Sequence, residues 1–318
     1  MSEQIKHLRV MVRGAYDLQK LRIQMGLRLC ANFRARLGAP EDEADDPSTE
    51  AQGKPELSAQ AQGIITQLKA SYGRLTDGVA RNRTLPARRG FKGDELIADY
   101  AELVLVDQYV RLERDETVNF RQLGDVLDLI PIYTEYLAQQ RGIGPAMAGV
   151  LVAYLDPAKA RHVSSFWKYA GLDVAGGTGR SRRQEHLVER SYIDRNGVEK
   201  TRMGITYEPF LKTKLMGVLA GSFLRSGSPW RKVYDDYKHR LESDPAREKV
   251  TVAEWKKRHR AEEDVSKLWT PGRIHAASSR YMVKMFLAEL WTTWRRLEEL
   301  PVSEPYAVDK LGRKPHAA

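Results

Sequence analysis

Gln140-Arg141-Gly142-Ile143-Gly144-Pro145-Ala146-Met147-Ala148-Gly149-Val150-Leu151 is the most specific stretch of this chain. Ahead of it Ile130, Ile132, Tyr133, Tyr136 and Leu137 recur at helical spacing. Behind it an apolar helix runs to Leu155 and stops at Asp156-Pro157. The pattern predicts a helix-hairpin-helix. Gly142 and Gly144 permit a tight hairpin with unusual φ values, and Pro145 suits the first turn of the second helix. Open hairpin amides and the positive end of that helix can take a phosphate without reading sequence, with Arg141 beside them. The same residues also make a plain helix connection, and the surrounding charge favours the phosphate reading.

That charge is large. The 318 residues carry 52 Lys and Arg against 42 Asp and Glu, a formal net charge of +10. A surplus of this size points to a polyanionic partner, most often nucleic acid. It is concentrated just after the hairpin: Lys159 to Lys214 holds 12 Lys/Arg against 6 Asp/Glu. The single cysteine, Cys30, excludes an intrachain disulfide and a cysteine-based zinc site, and it suits a reducing, cytoplasmic compartment. No apolar run nears the roughly 20 residues that span a bilayer, and Met1-Ser-Glu-Gln lacks the layout of a signal peptide. A cytoplasmic protein with no membrane partner is expected.

Within the basic window, Ala175-Gly176-Gly177-Thr178-Gly179-Arg180-Ser181-Arg182-Arg183 reads as an irregular, anion-facing loop with free amides and three arginines. It is no P-loop, because no Gly-Lys-Ser/Thr closes it and no strand precedes it. Next, His186–Ile193 and Val198–Met203 flank Asp194-Arg195-Asn196-Gly197, where Asn-Gly between two β-compatible runs predicts a hairpin. That hairpin carries Arg190, Arg195, Lys200 and Arg202. Earlier in the chain Arg81, Arg83, Arg88, Arg89 and Lys92 stand together with no acid, beside Phe91. They read either as a phosphate grip with an aromatic for a base, or as a solvated loop.

The remainder reads as helices. Stripes at three- and four-residue steps predict them over about residues 4–37, 56–79, 94–112, 117–140, 211–223, 230–241 and 274–297. Gly38 to Pro55, with its prolines and the acidic run Glu41–Asp46, reads as a flexible linker. Asp94, Glu95, Asp99 and Glu102 lie at helical spacing and form a candidate carboxylate cluster, though exposed helices carry such charges routinely. The expected fold class is mainly α: long N-terminal helices forming a candidate coiled coil, and a helix-hairpin-helix-containing domain with a small β-hairpin. The expected boundaries are 1–126, 127–306 and a tail at 307–318.

The order of elements resembles a known family. Gly-Ile-Gly-Pro opens a helix ending Tyr154-Leu155-Asp156-Pro157; then come Phe166-Trp167-Lys168-Tyr169-Ala170-Gly171-Leu172, a Gly/Ser/Arg loop and an Arg202-Met203-Gly204 turn. The Leu211–Phe223 helix, Trp230-Arg231-Lys232-Val233-Tyr234 and a close on Glu304-Pro305-Tyr306 complete the order. This resembles the C-terminal transposase domain of the IS-one-ten/IS-one-sixteen insertion-sequence transposases, the bridge-RNA-guided recombinases, over about Leu127 to Tyr306. The resemblance implies DNA strand exchange through a serine nucleophile in the loop after Ala-Gly-Leu, with Mg2+ held by a separate RuvC-like domain. Ser181 corresponds by a small shift and Thr178 by position. DNA is the implied partner, a structured guide RNA and a homo-oligomer are further ones, and the sequence itself shows no cofactor. The phosphate contacts expected are Arg141, Gly142, Gly144, Arg180, Arg182, Arg183, Arg195, Lys200, Arg202, Arg88 and Arg89. Residues 1–126 read as helical, without the Asp-bearing strands of a RuvC-like domain, and 56–140 correspond to the family's coiled coil. The alternative is a non-catalytic nucleic-acid-binding or accessory protein derived from such a transposase.

Overall fold

The computed structural model describes residues 3–34, 36–37, 57–76, 85–261, 265 and 267–303. It is mainly helical, with a small antiparallel hairpin. The acidic linker, Arg81, Arg83 and Glu304-Pro305-Tyr306 lie outside the described residues. The chain divides into two compact units, Lys6–Asp125 and Met1–Ile5 plus Val126–Ala318. No helix among the described residues is long and apolar enough to cross a membrane.

The first unit is built on α1 (Glu3–Phe33), α2 (Ala59–Leu75) and α3 (Tyr100–Leu127). Leu29, Ile64, Leu68, Leu103 and Val106 of the predicted stripes are buried in one cluster, which Cys30 and Phe33 join, whereas Leu21 of the first stripe is exposed. Polar links tie the helices together around it. Arg22 pairs with Glu116, Lys69 with Glu113, and the Tyr72 hydroxyl donates to Asp107 at 2.7 Å. Gly26, which in sequence only weakens α1, has a packing reason. A methyl group there would lie 2.9 Å from Leu57 and 3.1 Å from Tyr109.

Two expectations about this unit are corrected. The helices expected at 94–112 and 117–140 are joined differently: α3 starts only at Tyr100, runs on without a break and ends at Leu127, and a new helix starts at Pro131, as a proline at a first turn suggests. Asp94, Glu95 and Asp99 precede it and form no helical carboxylate cluster. Asp94 instead takes the Ile97 and Leu96 amides, the Ser71 hydroxyl and Arg74; Asp99 takes the Glu102 amide; Glu102 pairs with Arg36. Such side chain to backbone bonds compete with a helical turn and fix its start instead.

The second unit begins with a short helix, α4 (Pro131–Glu135), and a 3-10 turn, Leu137–Gln139, which replace the single helix expected before the glycines. The hairpin and α5 (Pro145–Tyr154) come next, and every residue of α5 from Met147 onward is buried. Then come α6 (Val163–Tyr169), β1 (Val174–Ala175), β2 (Thr178–Gly179), a 3-10 turn at Gln184–His186, β3 (Val188–Ile193) and β4 (Glu199–Gly204). A helical stretch runs through α7 (Pro209–Lys214), a π turn at Leu215–Leu219 and α8 (Ala220–Arg225). The unit closes with α9 (Trp230–Ser243), a parallel pairing of β5 (Glu248–Lys249) with β6 (Leu268–Trp269), α10 (Val252–Arg260) and α11 (Pro271–Leu297). The aromatic stripes are core. Phe286 of α11 meets Phe223 at 5.2 Å, Trp230 at 5.6 Å and Tyr136 at 6.5 Å between ring centroids.

Candidate nucleic-acid interface

Part of the glycine-rich segment is regular β-structure, contrary to the expected irregular loop. Val174 pairs with Gly179 and Ala175 with Thr178, and Gly176 and Gly177 turn the chain at φ 55° and 74°. Two successive left-handed residues make the tight hairpin turn that only glycine adopts freely. Its function as a row of free amides is correspondingly reduced. Asp173 closes the base of this small ribbon: its carbonyl accepts the Arg180 amide at 3.0 Å and its carboxylate grips the Arg180 guanidinium at 2.6 Å. That pairing raises the Arg180 pKa.

His186 organises the segment around Ser181. It is 2% exposed, and both ring nitrogens are engaged. Nε2 lies 3.1 Å from the Ala175 carbonyl oxygen, and Nδ1 lies 3.0 Å from the Ser181 amide nitrogen and 3.0 Å from Ser181 Oγ. A carbonyl can only accept and an amide can only donate, so these partners assign the neutral tautomer with its proton on Nε2. Ser181 Oγ therefore faces an unprotonated imidazole nitrogen whose lone pair also takes the Ser181 amide, and it accepts the Arg183 amide at 3.3 Å. Thr178 Oγ1 sits 3.3 Å from Nε2, the protonated side, and donates to the Ala175 carbonyl. A hydroxyl against an unprotonated imidazole is the arrangement that activates a nucleophile. Ser181 has it and Thr178 does not.

Around this loop stands a group of cations that the sequence did not mark. Arg273, Arg280 and Lys284 occupy one stripe of α11, at seven- and four-residue steps. The Arg280 guanidinium occupies the space beside Gly179, where a methyl group would be 2.3 Å from Nη2. Lys212 of α7 donates to the Arg180 carbonyl and stands 4.6 Å over the Tyr207 ring. Lys284 stands 4.3 Å over Trp167, whose indole donates to the Lys284 carbonyl at 2.9 Å. Among the described residues Arg280 has no hydrogen-bond acceptor and no ion pair.

The electrostatics agree with this crowding. Burial lowers the pKa of Lys212, and Arg280 lowers it further against an opposing pull from Asp173. Burial and then Arg280 do the same to Lys284. Burial lowers Arg280 itself, and burial, Arg247 and Arg183 lower Arg273. Asp173 is the one carboxylate acting on Lys212 and Lys284, and Arg180 already holds it. Lys212, Arg280 and Lys284 are half-buried without a carboxylate of their own, so they lack the compensation that burial demands, and an anion supplies it.

The other expected contacts are dispersed. Gly144 is exposed and opens α5, whereas Gly142 turns inward: its carbonyl accepts the Ser222 hydroxyl at 2.7 Å. Arg141 is exposed, as are Arg182 and Arg183, the last 3.7 Å from Glu185. Arg195, Lys200 and Arg202 are exposed on the long hairpin, with Lys200 paired to Asp194 at 2.7 Å. Arg88 and Arg89 are exposed in the other unit; their neighbour Phe91 packs edge-on against Tyr100 at 5.6 Å, at the edge of the helical core, so it is no free base platform.

The Mg2+ implied by resemblance does not fit these residues. Among the described residues no group of three His, Cys, Asp or Glu is placed to hold a metal ion, and the carboxylate beside the loop, Asp173, is neutralised within a cationic field. No known protein family, curated protein or solved structure matches the chain.

Proposed function

We propose that this chain binds DNA as a transposase or site-specific recombinase of insertion-sequence type, with strand exchange through Ser181. The observation that carries the binding is the pair of half-buried cations Lys212 and Arg280 packed against the loop that holds Ser181, with the charge of Lys284 acting beside Arg280. A phosphodiester seated on those cations would neutralise them and lie beside the Ser181 hydroxyl. In the chemical step Ser181 Oγ bonds to phosphorus while one bridging P–O bond of the strand breaks. The serine proton passes to His186 Nδ1 and from there to the leaving sugar oxygen. The resemblance of residues 127–306 to the transposase domain supports the same reading.

The alternative, a non-catalytic nucleic-acid-binding protein derived from such a transposase, also has an observation in its favour. The lone pair of His186 Nδ1 that faces Ser181 Oγ also accepts the Ser181 amide, so the ring works as a clamp on the loop. The test has two readouts. Binding to duplex DNA should weaken with salt, and the slope of log K against log salt should fall by about one for each of Lys212→Ser and Arg280→Ser. A covalent adduct with DNA should form with the wild-type chain and vanish in Ser181→Ala. Binding without an adduct selects the alternative; no salt-dependent binding removes both.

A further inference from the structure

The ribbon of β3 and β4 has six residues in each strand, about 20 Å of length, and eleven of its twelve residues are exposed. A two-stranded ribbon wet on both faces is marginal by itself. Its two faces differ sharply. The register pairs Val188 with Gly204, Arg190 with Arg202 and Tyr192 with Lys200 on one face; the other carries Glu189 with Met203, Ser191 with Thr201 and Ile193 with Glu199. All the strand cations are thus on the first face, and both glutamates are on the second.

On the cationic face Arg190 and Arg202 stand directly opposite each other, an arrangement that costs stability between like charges. No carboxylate among the described residues pairs with either. Arg190 lies along the strand, its stem 3.1 Å from where a Gly204 methyl would be, and Arg202 covers the Tyr192 ring at 5.1 Å. A local rule broken without a carboxylate to neutralise it marks a functional surface. The ribbon also springs from the cationic centre: His186 ends two residues before β3, and Lys212 comes eight residues after β4.

We infer that the cationic face of this ribbon enters the major groove of B-form duplex DNA, with Arg190 and Arg202 towards the base edges. This rests on the nucleic-acid reading above and adds its groove and its duplex type. The major groove, about 12 Å wide, admits a two-stranded ribbon, and arginine forks onto guanine O6 and N7 there. The glutamate face then looks out to solvent, away from the phosphates. A-form RNA excludes the ribbon, since its major groove is too deep and narrow to be read by side chains.

The test uses the full chain with a short mixed-sequence DNA duplex and an RNA duplex of the same sequence. Methyl green, which occupies the major groove, should displace the wild-type protein, and netropsin, which occupies the minor groove, should not. Arg190→Ser/Arg202→Ser should weaken DNA binding by at least about fivefold and leave the residual binding insensitive to methyl green. If that variant melts at a lower temperature, Arg190→Lys/Arg202→Lys replaces it, because lysine keeps the charge and stem but not the two-point fork. Wild-type affinity in the ribbon variant, displacement by netropsin instead, or equal binding of the RNA duplex would overturn the inference. If Arg280→Ser still loses binding in those cases, the nucleic-acid reading stands and the ribbon alone fails. A wild-type chain that binds neither duplex removes both.

Discussion

Gly179 lies under the guanidinium of Arg280 so closely that a methyl group there would meet Nη2 at 2.3 Å and Cζ at 2.4 Å. Glycine at this position is a matter of close approach, since its φ is outside the left-handed region. The group displaced by Gly179→Ala is the far end of a flexible side chain, so stability should change by less than about 1 kcal/mol. DNA binding should weaken nonetheless, with the log K against log salt slope falling by about one as Arg280 leaves its seat. A melt and a salt titration of the same variant check both halves. An unchanged slope would separate Arg280 from the interface.

What was legible in the sequence was local. Gly142, Gly144 and Pro145 announce their hairpin through backbone chemistry, and Asn196-Gly197 announces the ribbon, with Gly197 at φ 78°. The stripe Tyr281, Met285, Phe286, Leu290, Trp294 and Leu297 announces α11. By contrast α10 has no buried residue, so it has no apolar period to find. The order in the glycine-rich loop depends on His186, seven residues beyond Gly179, and on the burial of that ring. The cationic centre was invisible for a different reason. Arg280 is brought to Gly179 across 101 residues of chain and Lys212 to Arg180 across 32, and no spacing rule reports a meeting made by tertiary packing.

His186→Ala should cost about 2–4 kcal/mol, since it opens a cavity and leaves the Ser181 amide without its acceptor. His186→Asn separates the two roles of the ring. Its Oδ1 can stand where Nδ1 stood and keep the amide bond, but it cannot take a proton. Urea denaturation should show part of the stability restored in the asparagine variant. The DNA adduct should be lost in both variants. An adduct formed at the wild-type rate by His186→Asn would mean that the ring serves only as a clamp.

Asp94 predicts a pH dependence in the three-helix unit. Desolvation pushes its pKa up, but the Ile97 amide, the Ser71 hydroxyl, Arg74 and the Leu96 amide outweigh that and hold it at about 2, below the ordinary 3.8. A carboxylate depressed in the folded state contributes stability that is complete above the unfolded value and is lost as pH falls through the folded one. Asp94→Asn should therefore destabilise the chain by about 1–3 kcal/mol at neutral pH through weakened charge-assisted hydrogen bonds. The gap between the two proteins should shrink below about pH 4 and close near pH 2. Denaturation midpoints across that range measure it. A gap constant from pH 7 to pH 2 would assign the loss to packing instead.

Gly142 and Gly144 look alike in sequence, two glycines of one phosphate-binding hairpin, and the structure gives them opposite surroundings. At Gly142 φ is 98°, and a methyl group would lie 2.7 Å from Ser226 Oγ and 3.2 Å from Phe223. At Gly144 φ is −100° and nothing lies within 4 Å. Left-handed strain and overpacking each cost on the order of 1–2 kcal/mol, so Gly142→Ala should lose about 2–4 kcal/mol of stability. Gly144→Ala should change stability by less than about 1 kcal/mol, since alanine's poorer capping is largely offset by its smaller loss of chain entropy on folding. Its methyl group instead stands in open space at the head of α5, where a phosphate would approach. Duplex binding should therefore fall in Gly144→Ala at unchanged stability. In Gly142→Ala, binding per folded molecule should be retained below the melting transition. Equal effects of the two substitutions on both measurements would show that the hairpin acts as a single structural turn with no phosphate on it.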